Sequence, residues 1–273
     1  MPTLLPSSTA TQLISARVGA SAVMLSGTFG CAAPDSSTTV TVLAFVLYKF
    51  DWDWVKAEAH FRRAINLDPN YALAHHWSGE FLVLQARFAE GIAELRKAEV
   101  LDPLSMPIKN DLGRALFRAR RYDDAITQAL HTLEFDPNFT NAYATLEYAY
   151  EAKGDLRLAV ENDLHAVRTL GLGSSRLALL EKAFHAGGWR AYWRQKLHVL
   201  QRDFPPGSVP IYDFAEIYTR INEPDKALEC LEEPFQQHGD APLLIGVEPL
   251  FDSLRGRPRF IYLLRRSGLP ELR

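Results

Sequence analysis

Two adjacent histidines followed by a glutamate have the residue types of a metal site. His76 and Glu80 are four residues apart, so on a helix they share one face, and His75 lies beside them. Imidazole nitrogens and carboxylate oxygens are common metal ligands. The set lacks the His-Glu-x-x-His order of a metalloprotease helix and has no third ligand in sequence. We therefore interpret it as a polar helix face and expect no metal ion.

Other catalytic motifs are weak or missing in the sequence. The stretch Gly-Leu-Gly-Ser-Ser at 171–175 is glycine-rich but lacks the Lys of a phosphate-binding loop, so we interpret it as a connection between helices. No Gly-x-Ser-x-Gly motif occurs, and neither Cys31 nor Cys230 has a catalytic setting. We expect a protein that is not an enzyme and uses no cofactor.

The densest basic run contains Arg114, Arg118, Arg120 and Arg121. Helical repeats that bind nucleic acid present basic residues unit after unit. The equivalent stretch one unit later, 147–155, is acidic instead. We therefore expect no direct contact with nucleic acid, and we interpret the run as a salt-bridging surface with Asp123 and Asp124.

Composition is that of an ordinary globular protein. Of 273 residues, 47% are hydrophobic and 23% charged, and the net charge of −3 creates no strong field toward nucleic acid or an anionic membrane. Two cysteines are too few for a disulfide framework. The expected location is the cytoplasm.

Residues 1–37 form a low-charge tail that leaves an alternative open. The run 18–30 lies between Arg17 and Cys31 and resembles the apolar core of a degenerate signal peptide or lipoprotein signal. We favour a disordered tail or a misassigned start codon, since the basic leader and a good lipobox are missing. The run is too short to span a bilayer, and no other segment of the sequence offers a membrane span.

The elements that must position these residues repeat with a fixed period. Pro69, Pro103 and Pro137 are 34 residues apart, and the same spacing continues to Gly171, Pro205 and Gly239. Each period contains two apolar-periodic segments with a turn between them, at 119–125, 152–159 and 222–227 for example. Proline cannot continue a helix interior, so each unit is predicted to be a helical hairpin. The β-branched stretch 38–48 is predicted to be helical too, because it occupies the first-helix position of its unit.

This pattern resembles the tetratricopeptide repeat. The small residues expected where its helices cross are Gly79 and Gly113 on first helices, and Ala57, Gly91, Ala125, Ala159 and Ala227 on second helices. The match is good over 38–171 and divergent over 172–273, where Trp193 stands at an expected alanine. The resemblance implies an all-α, right-handed solenoid of about six helical hairpins.

The order of the repeats also resembles the carboxyl-terminal region of bacterial regulators that begin with a winged-helix or Ser/Thr-kinase domain. The resembling stretches are 50–77, 187–193 and 247–270. Neither amino-terminal domain occurs in the sequence. The resemblance implies a regulatory or sensory arm that lacks its effector domain.

A solenoid of this family binds partners in the concave groove that its first helices line. The repeat phase predicts these groove residues: His76, Glu80, Asn110, Arg114, Asn141 and Tyr148. We expect an extended peptide or a partner helix there. The clamp by which some relatives hold chaperone tails is missing, because Val42, Val46, Asp111 and Thr145 occupy its positions. The partner's identity and the oligomeric state stay open.

The last stretch, 248–269, alternates apolar residues with arginines. We predict a helix that caps the final repeat, with a partner-binding amphipathic helix as the alternative. Three functional hypotheses follow. The chain is a non-catalytic scaffold that binds a protein or peptide, the regulatory arm of a transcription or signalling protein, or an exported or lipid-anchored assembly factor.

Overall fold

A computed structural model describes residues 36–236 and 241–269 of the chain. The predictions for residues 1–35, including the signal-like run, lie outside the described residues, as does Gly239. All of the secondary structure assigned within the described residues is helical, and these residues contain no strand. The helices are α1 Ser37–Lys49, α2 Trp54–Leu67, α3 Ala72–Leu84, α4 Phe88–Leu101, α5 Met106–Arg118, α6 Tyr122–Phe135, α7 Thr140–Lys153, α8 Leu156–Thr169, α9 Ser174–Asp203, α10 Ile211–Arg220, α11 Pro224–Gln236, α12 Ala241–Leu244, a 3₁₀ helix Pro249–Leu254, and α13 Pro258–Ser267.

Consecutive helices pack as antiparallel pairs, α1 with α2, α3 with α4, α5 with α6, α7 with α8, and α10 with α11. Asp68 and Asp136 end second helices in an extended conformation, which the following proline favours. Their carboxylates accept hydrogen bonds from the backbone N–H groups of Asn70 and Asn138. The Asp-Pro-Asn sequence therefore both stops one hairpin and shapes the turn into the next.

The turn inside each pair has a left-handed residue at the same repeat position. These residues, successively 34 apart, are Trp52, Ala86, Arg120, Gly154, Gly188 and Asn222. Gly188 divides the long helix α9 into two helical arms, with φ 67° and ψ −155° at the bend. The fifth unit, whose sequence match is poorest, is thus also a helical hairpin, and the described residues contain six hairpins once α9 is counted as a pair.

Small residues allow the paired helices to approach closely. A Cβ atom at Gly79 would lie 2.9 Å from the carbonyl oxygen of Gly91, and one at Gly91 would lie 2.8 Å from that of Gly79. The predicted small residues of the other second helices are fully buried; they are Ala57, Ala125, Ala159 and Ala227. Backbone-to-backbone contact at this crossing explains why the repeat needs small side chains there.

The β-branched first helix forms because its surroundings override its propensity. Ser36 caps α1 by accepting a hydrogen bond from the N–H of Thr39. Thr41 donates its hydroxyl proton to the carbonyl of Ser37, which satisfies that buried hydroxyl. Phe45 and Tyr48 are buried in the core that α1 shares with α2 and α3.

The predicted capping helix is present as α13. Phe260, Leu263 and Leu264 pack into the last core cluster, while Tyr262 is exposed. The capping helix also reaches the first helical pair, since the indole N–H of Trp54 donates to the carbonyl oxygen of Ser267 at 3.1 Å. Nowhere in the described part of the chain does a helix have the length and hydropathy needed to cross a membrane.

Candidate functional site

First helices of neighbouring pairs contact each other, α1 with α3, α3 with α5, and α5 with α7. We call the surface formed by α3, α5, α7 and α10 the inner face, and residues 241–269 the C-terminal segment. The 3₁₀ helix of that segment contacts both α7 and α10. Val247 joins the first core cluster, Leu250 packs on the middle one, and Phe251 is buried in the last. The C-terminal segment therefore lies along several repeats of the inner face.

A buried carboxylate fixes the C-terminal segment to the inner face. Glu248 is 0% exposed, and its Oε2 atom accepts hydrogen bonds from Arg114 Nη2 at 3.4 Å and Arg118 Nε at 3.3 Å. Further along, Arg120 pairs with Asp252 at 2.7 Å. These three arginines belong to the basic run, so its expected pairing with Asp123 and Asp124 is correct only for Arg121, which contacts Asp124. The reason for the error is that the chain's own end returns to this surface.

Two of the predicted groove residues contact each other beneath the C-terminal segment. The guanidinium of Arg114 lies 4.4 Å from the ring centroid of Tyr148, a cation–π contact. Tyr148 is 2% exposed, and its hydroxyl donates to the Glu216 carboxylate, at 2.7 Å from Oε2. In this structure Tyr148 serves the packing of α5, α7 and α10.

Beyond Glu216, one arginine holds several buried carboxylates. Arg220 contacts Glu147 at 2.8 Å, Glu151 at 2.9 Å and Glu216 at 3.3 Å. Its guanidinium also lies 4.2 Å from the ring centroid of Trp193. Burial raises the pKa of Glu147 to about 8, although the charge of Arg220 acts to lower it. Three carboxylates surround one guanidinium, so each ionised carboxylate opposes ionisation of the others while Arg220 favours it.

His76, Glu80 and Asp111 form another cluster of titratable groups on the inner face. His76 Nε2 lies 2.7 Å from Asp111 Oδ2, and one ligand atom from each of the three residues lies within 4.8 Å of the others. Burial raises the pKa of Glu80, and the negative charge of Asp111 raises it further. Burial acts to lower the pKa of His76, but its hydrogen bond to Asp111 and the nearby carboxylates outweigh that effect and raise it.

The remaining predicted groove residues are partly exposed. Asn110 donates from Nδ2 to Asp111 Oδ1 at 3.1 Å, while its own Oδ1 is buried without a hydrogen-bond partner. Asn141 lies one repeat further on, in the first turn of α7. The structure thus brings His76, Glu80 and Asn110 together around Asp111 and brings Arg114 to Tyr148. Whether any of the six contacts a partner stays a prediction.

Several residues of these clusters were not predicted as site residues, among them Asp111, Glu248 and Arg220. Asp111 was noticed only as a departure from the chaperone-tail clamp, although it lies one residue past the repeat equivalent of His76. Glu248 stands alone as an acid in an apolar stretch, which is a weak signal for a buried ion pair. Arg220 has little local signal, since two of its three carboxylate partners, Glu151 and Glu147, are 69 and 73 residues away in the chain.

Comparisons with known proteins give structural neighbours only. No family model and no curated protein matches the chain. The solved structure of Pseudomonas aeruginosa PilF superposes with a TM-score of 0.50 at 16% identity, over 74% of this chain and 91% of PilF. PilW, described as a widely conserved type IV pilus biogenesis factor, superposes with a TM-score of 0.50 at 16% identity, over 84% of this chain and 98% of PilW. At this identity the likeness concerns the fold, and the chain is an all-α solenoid of tetratricopeptide-like helical hairpins.

Proposed function

We propose that this protein is a non-catalytic scaffold that binds a segment of a partner protein along its inner face. The observation that carries the proposal is that a non-repeat segment, the C-terminal one, already lies there. That segment is held by an acidic side chain between arginines and by apolar side chains in three separate core clusters. Helical solenoids use such inner faces for extended ligands.

The contacts define the chemistry of a suitable partner. Arg114 and Arg118 select a carboxylate, because a charge-assisted hydrogen bond to a partly buried arginine is stronger than a neutral one. Val247 and Leu250 on either side of Glu248 enter apolar sites. We therefore expect a partner segment in which one acidic residue is flanked by bulky apolar residues.

The chain's own segment then acts as a competitor. A tethered segment has an effective concentration of about 1 mM for short linkers, so a partner must bind more tightly than the segment alone would. Asn110 and Asn141 lie on the neighbouring part of the inner face and are partly exposed. A longer partner can use them and gain contacts that the C-terminal segment does not make.

The test uses a peptide of known sequence, residues 243–256 of this chain, labelled with a fluorophore. Its binding is measured by fluorescence anisotropy to full-length chain carrying Glu248→Ala, which weakens the resident segment. We expect saturable binding, weaker binding to wild type, and loss of binding when Arg114→Ala and Arg118→Ala are added. A peptide carrying Glu248→Ala is the matched control.

If the peptide fails to bind a Glu248→Ala chain that circular dichroism shows to be folded, the C-terminal segment is an inseparable part of the core. The inner face is then not a ligand-binding surface, and the proposal is wrong. If the peptide binds, capture from source-cell lysate follows, comparing wild type with Asn110→Ala plus Asn141→Ala, two changes on the partly exposed part of the face.

A regulatory arm is a second candidate, favoured by one specific observation. Two of the stretches that resemble bacterial regulators meet in space, since Trp54 of 50–77 hydrogen-bonds to Ser267 of 247–270. The third contains the Gly188 bend and Trp193. Identification of the captured partner as a winged-helix protein or a kinase would support this role, and a partner of another class would count against it.

An exported assembly factor is the third candidate. It is supported by the apolar run before Cys31, and a type IV pilus biogenesis factor with this fold provides a precedent. Mass spectrometry of the amino terminus of the protein from its source cells tests it. Cleavage near Cys31 would support export, and an intact Met1 would contradict it.

A further inference from the structure

Three metal-type donors converge from two neighbouring first helices. His76 and Glu80 are one turn apart on α3, and Asp111 comes from α5 of the next unit. Their ligand atoms all lie within 4.8 Å of one another. The local sequence predicts only a polar face because no third ligand lies nearby in the chain, and the fold supplies that ligand from 35 residues downstream of His76.

The neighbouring histidine shows what an ordinary structural pair looks like in this protein. His75 Nδ1 lies 2.6 Å from Glu94 Oε2, and its Nε2 lies 3.0 Å from the carbonyl oxygen of Pro69. Both ring nitrogens therefore have partners, and one carboxylate matches one imidazole. At His76 two carboxylates face one imidazole, which leaves an excess of negative charge. The number of carboxylates per imidazole therefore distinguishes the hydrogen-bonded pair at His75 from the site at His76, which attracts a cation.

Repulsion between the carboxylates of Glu80 and Asp111 destabilises this cluster when no cation is bound. Two carboxylates that share a partly buried site repel each other, and a divalent ion removes the repulsion. Lys49 and Arg118 also act on Glu80 by their charge. Arg118 is also engaged with Glu248 at 3.3 Å, and Lys49 also lies over the rings of Phe45 and Tyr48.

We propose that His76, Glu80 and Asp111 bind a divalent transition-metal ion. One imidazole nitrogen with two carboxylate oxygens suits Zn²⁺ and Mn²⁺ better than Ca²⁺, which prefers six or more oxygen ligands. Asn110 donates to the other oxygen of Asp111 and so fixes the carboxylate, as supporting residues around metal ligands do. The Oδ1 atom of Asn110 is buried without a hydrogen-bond partner. Three protein donors leave at least one position on the ion for a water molecule.

The test is calorimetric titration of chelator-treated full-length chain with Zn²⁺, Mn²⁺ and Ca²⁺. We expect one Zn²⁺ per chain, weaker Mn²⁺ binding, and no measurable binding of Ca²⁺. Glu80→Gln, Asp111→Asn and His76→Gln should each weaken Zn²⁺ binding by more than about 100-fold, since even supporting residues typically account for 10- to 100-fold. His75→Gln is the matched control and should leave the affinity unchanged.

Absence of Zn²⁺ binding to the wild-type chain would overturn the proposal. Equal affinity in wild type and Glu80→Gln would also overturn it, because that substitution keeps size and shape while removing the charge. Thermal unfolding confirms that each variant is folded. The visible spectrum of Co²⁺-loaded protein gives a second measurement, which should lose its protein-bound features in His76→Gln but not in His75→Gln. Neither readout needs a partner protein, so the inference is independent of the proposed scaffold function.

Discussion

Glu248 and Arg118 lie 130 residues apart in the chain, yet Arg118 Nε donates to Glu248 Oε2 at 3.3 Å. Arg114 approaches the same oxygen from the preceding turn of α5. The contact joins the end of the chain to its middle repeats. It makes the inner face a surface that already holds a ligand-like segment.

Replacing Glu248 should therefore destabilise the whole solenoid. In Glu248→Ala, Arg114 and Arg118 lose their shared carboxylate, and we expect a loss of about 3 kcal/mol of unfolding free energy, as for other buried pairs that lose one partner. Urea denaturation at neutral pH measures it. Asp252→Asn removes a more exposed partner of Arg120 and should cost less than about 1 kcal/mol. Equal effects of the two changes would mean that burial of Glu248 has no energetic consequence.

Gly79 and Gly113 occupy equivalent repeat positions but should respond oppositely to alanine. At Gly79 the new Cβ would meet Leu95 Cγ at 2.7 Å and the Gly91 carbonyl oxygen at 2.9 Å. At Gly113 the nearest atom is Thr145 Cγ2 at 3.5 Å, an ordinary contact. We expect Gly79→Ala to lower the free energy of unfolding by about 2 kcal/mol through overpacking. We expect Gly113→Ala to raise it by up to about 1 kcal/mol through the higher helix propensity of alanine. Thermal unfolding compares them, and a loss at both positions would contradict the difference in space.

The left-handed turn residues give a second matched pair. Gly154 has φ 82°, and Ala86 has φ 59° two units earlier. We expect Gly154→Ala to lower the free energy of unfolding by about 1 kcal/mol, because a Cβ is strained in this conformation. We expect Ala86→Gly either to lower it by less than that or to raise it. Nothing lies within 4 Å of a Cβ at Gly154, so the loss would come from the backbone alone. Chemical denaturation measures both, and an unchanged Gly154→Ala protein would contradict the strain argument.

Most of the fold could be predicted from the spacing of residues in the sequence, because the hairpin of each repeat depends on local sequence signals. The prolines at 69, 103 and 137 and the small residues at the helix crossings predict hairpins, since stopping a helix and allowing close approach are local requirements. In the fifth unit only the period remained, and the structure places the expected turn at Gly188. Local signals are weaker there because a single glycine replaces a loop.

The site was less predictable because its contacts are between distant parts of the chain. Repeat phase placed Arg114 and Tyr148 on the inner face but could not show that Glu248 and Glu216 would pair with them. The position of the C-terminal segment depends on the packing of all the repeats. A pattern with a period of 34 residues has no information about a segment that does not repeat.

The buried network around Arg220 predicts how stability depends on pH. Glu147 faces Arg220 of α10, Asp163 of α8, Lys196 of α9 and Glu151 of its own helix, and burial raises its pKa to about 8. A carboxyl whose folded pKa exceeds its unfolded value contributes stability that is full below the unfolded pKa, near 4.5, and is lost as pH rises through about 8.

We expect the wild-type chain to lose about 1 kcal/mol of unfolding free energy between roughly pH 7 and 9 through Glu147 alone. Glu147→Gln imitates the protonated carboxyl at every pH, so it should match wild type only near pH 4.5, be more stable than wild type at pH 7, and exceed it further at pH 9. Urea denaturation across this pH range measures the difference in unfolding free energy between the two proteins. Groups that titrate alike in both proteins do not contribute to that difference. Parallel curves for the two proteins would show that Glu147 is already ionised at neutral pH and that Arg220 neutralises it.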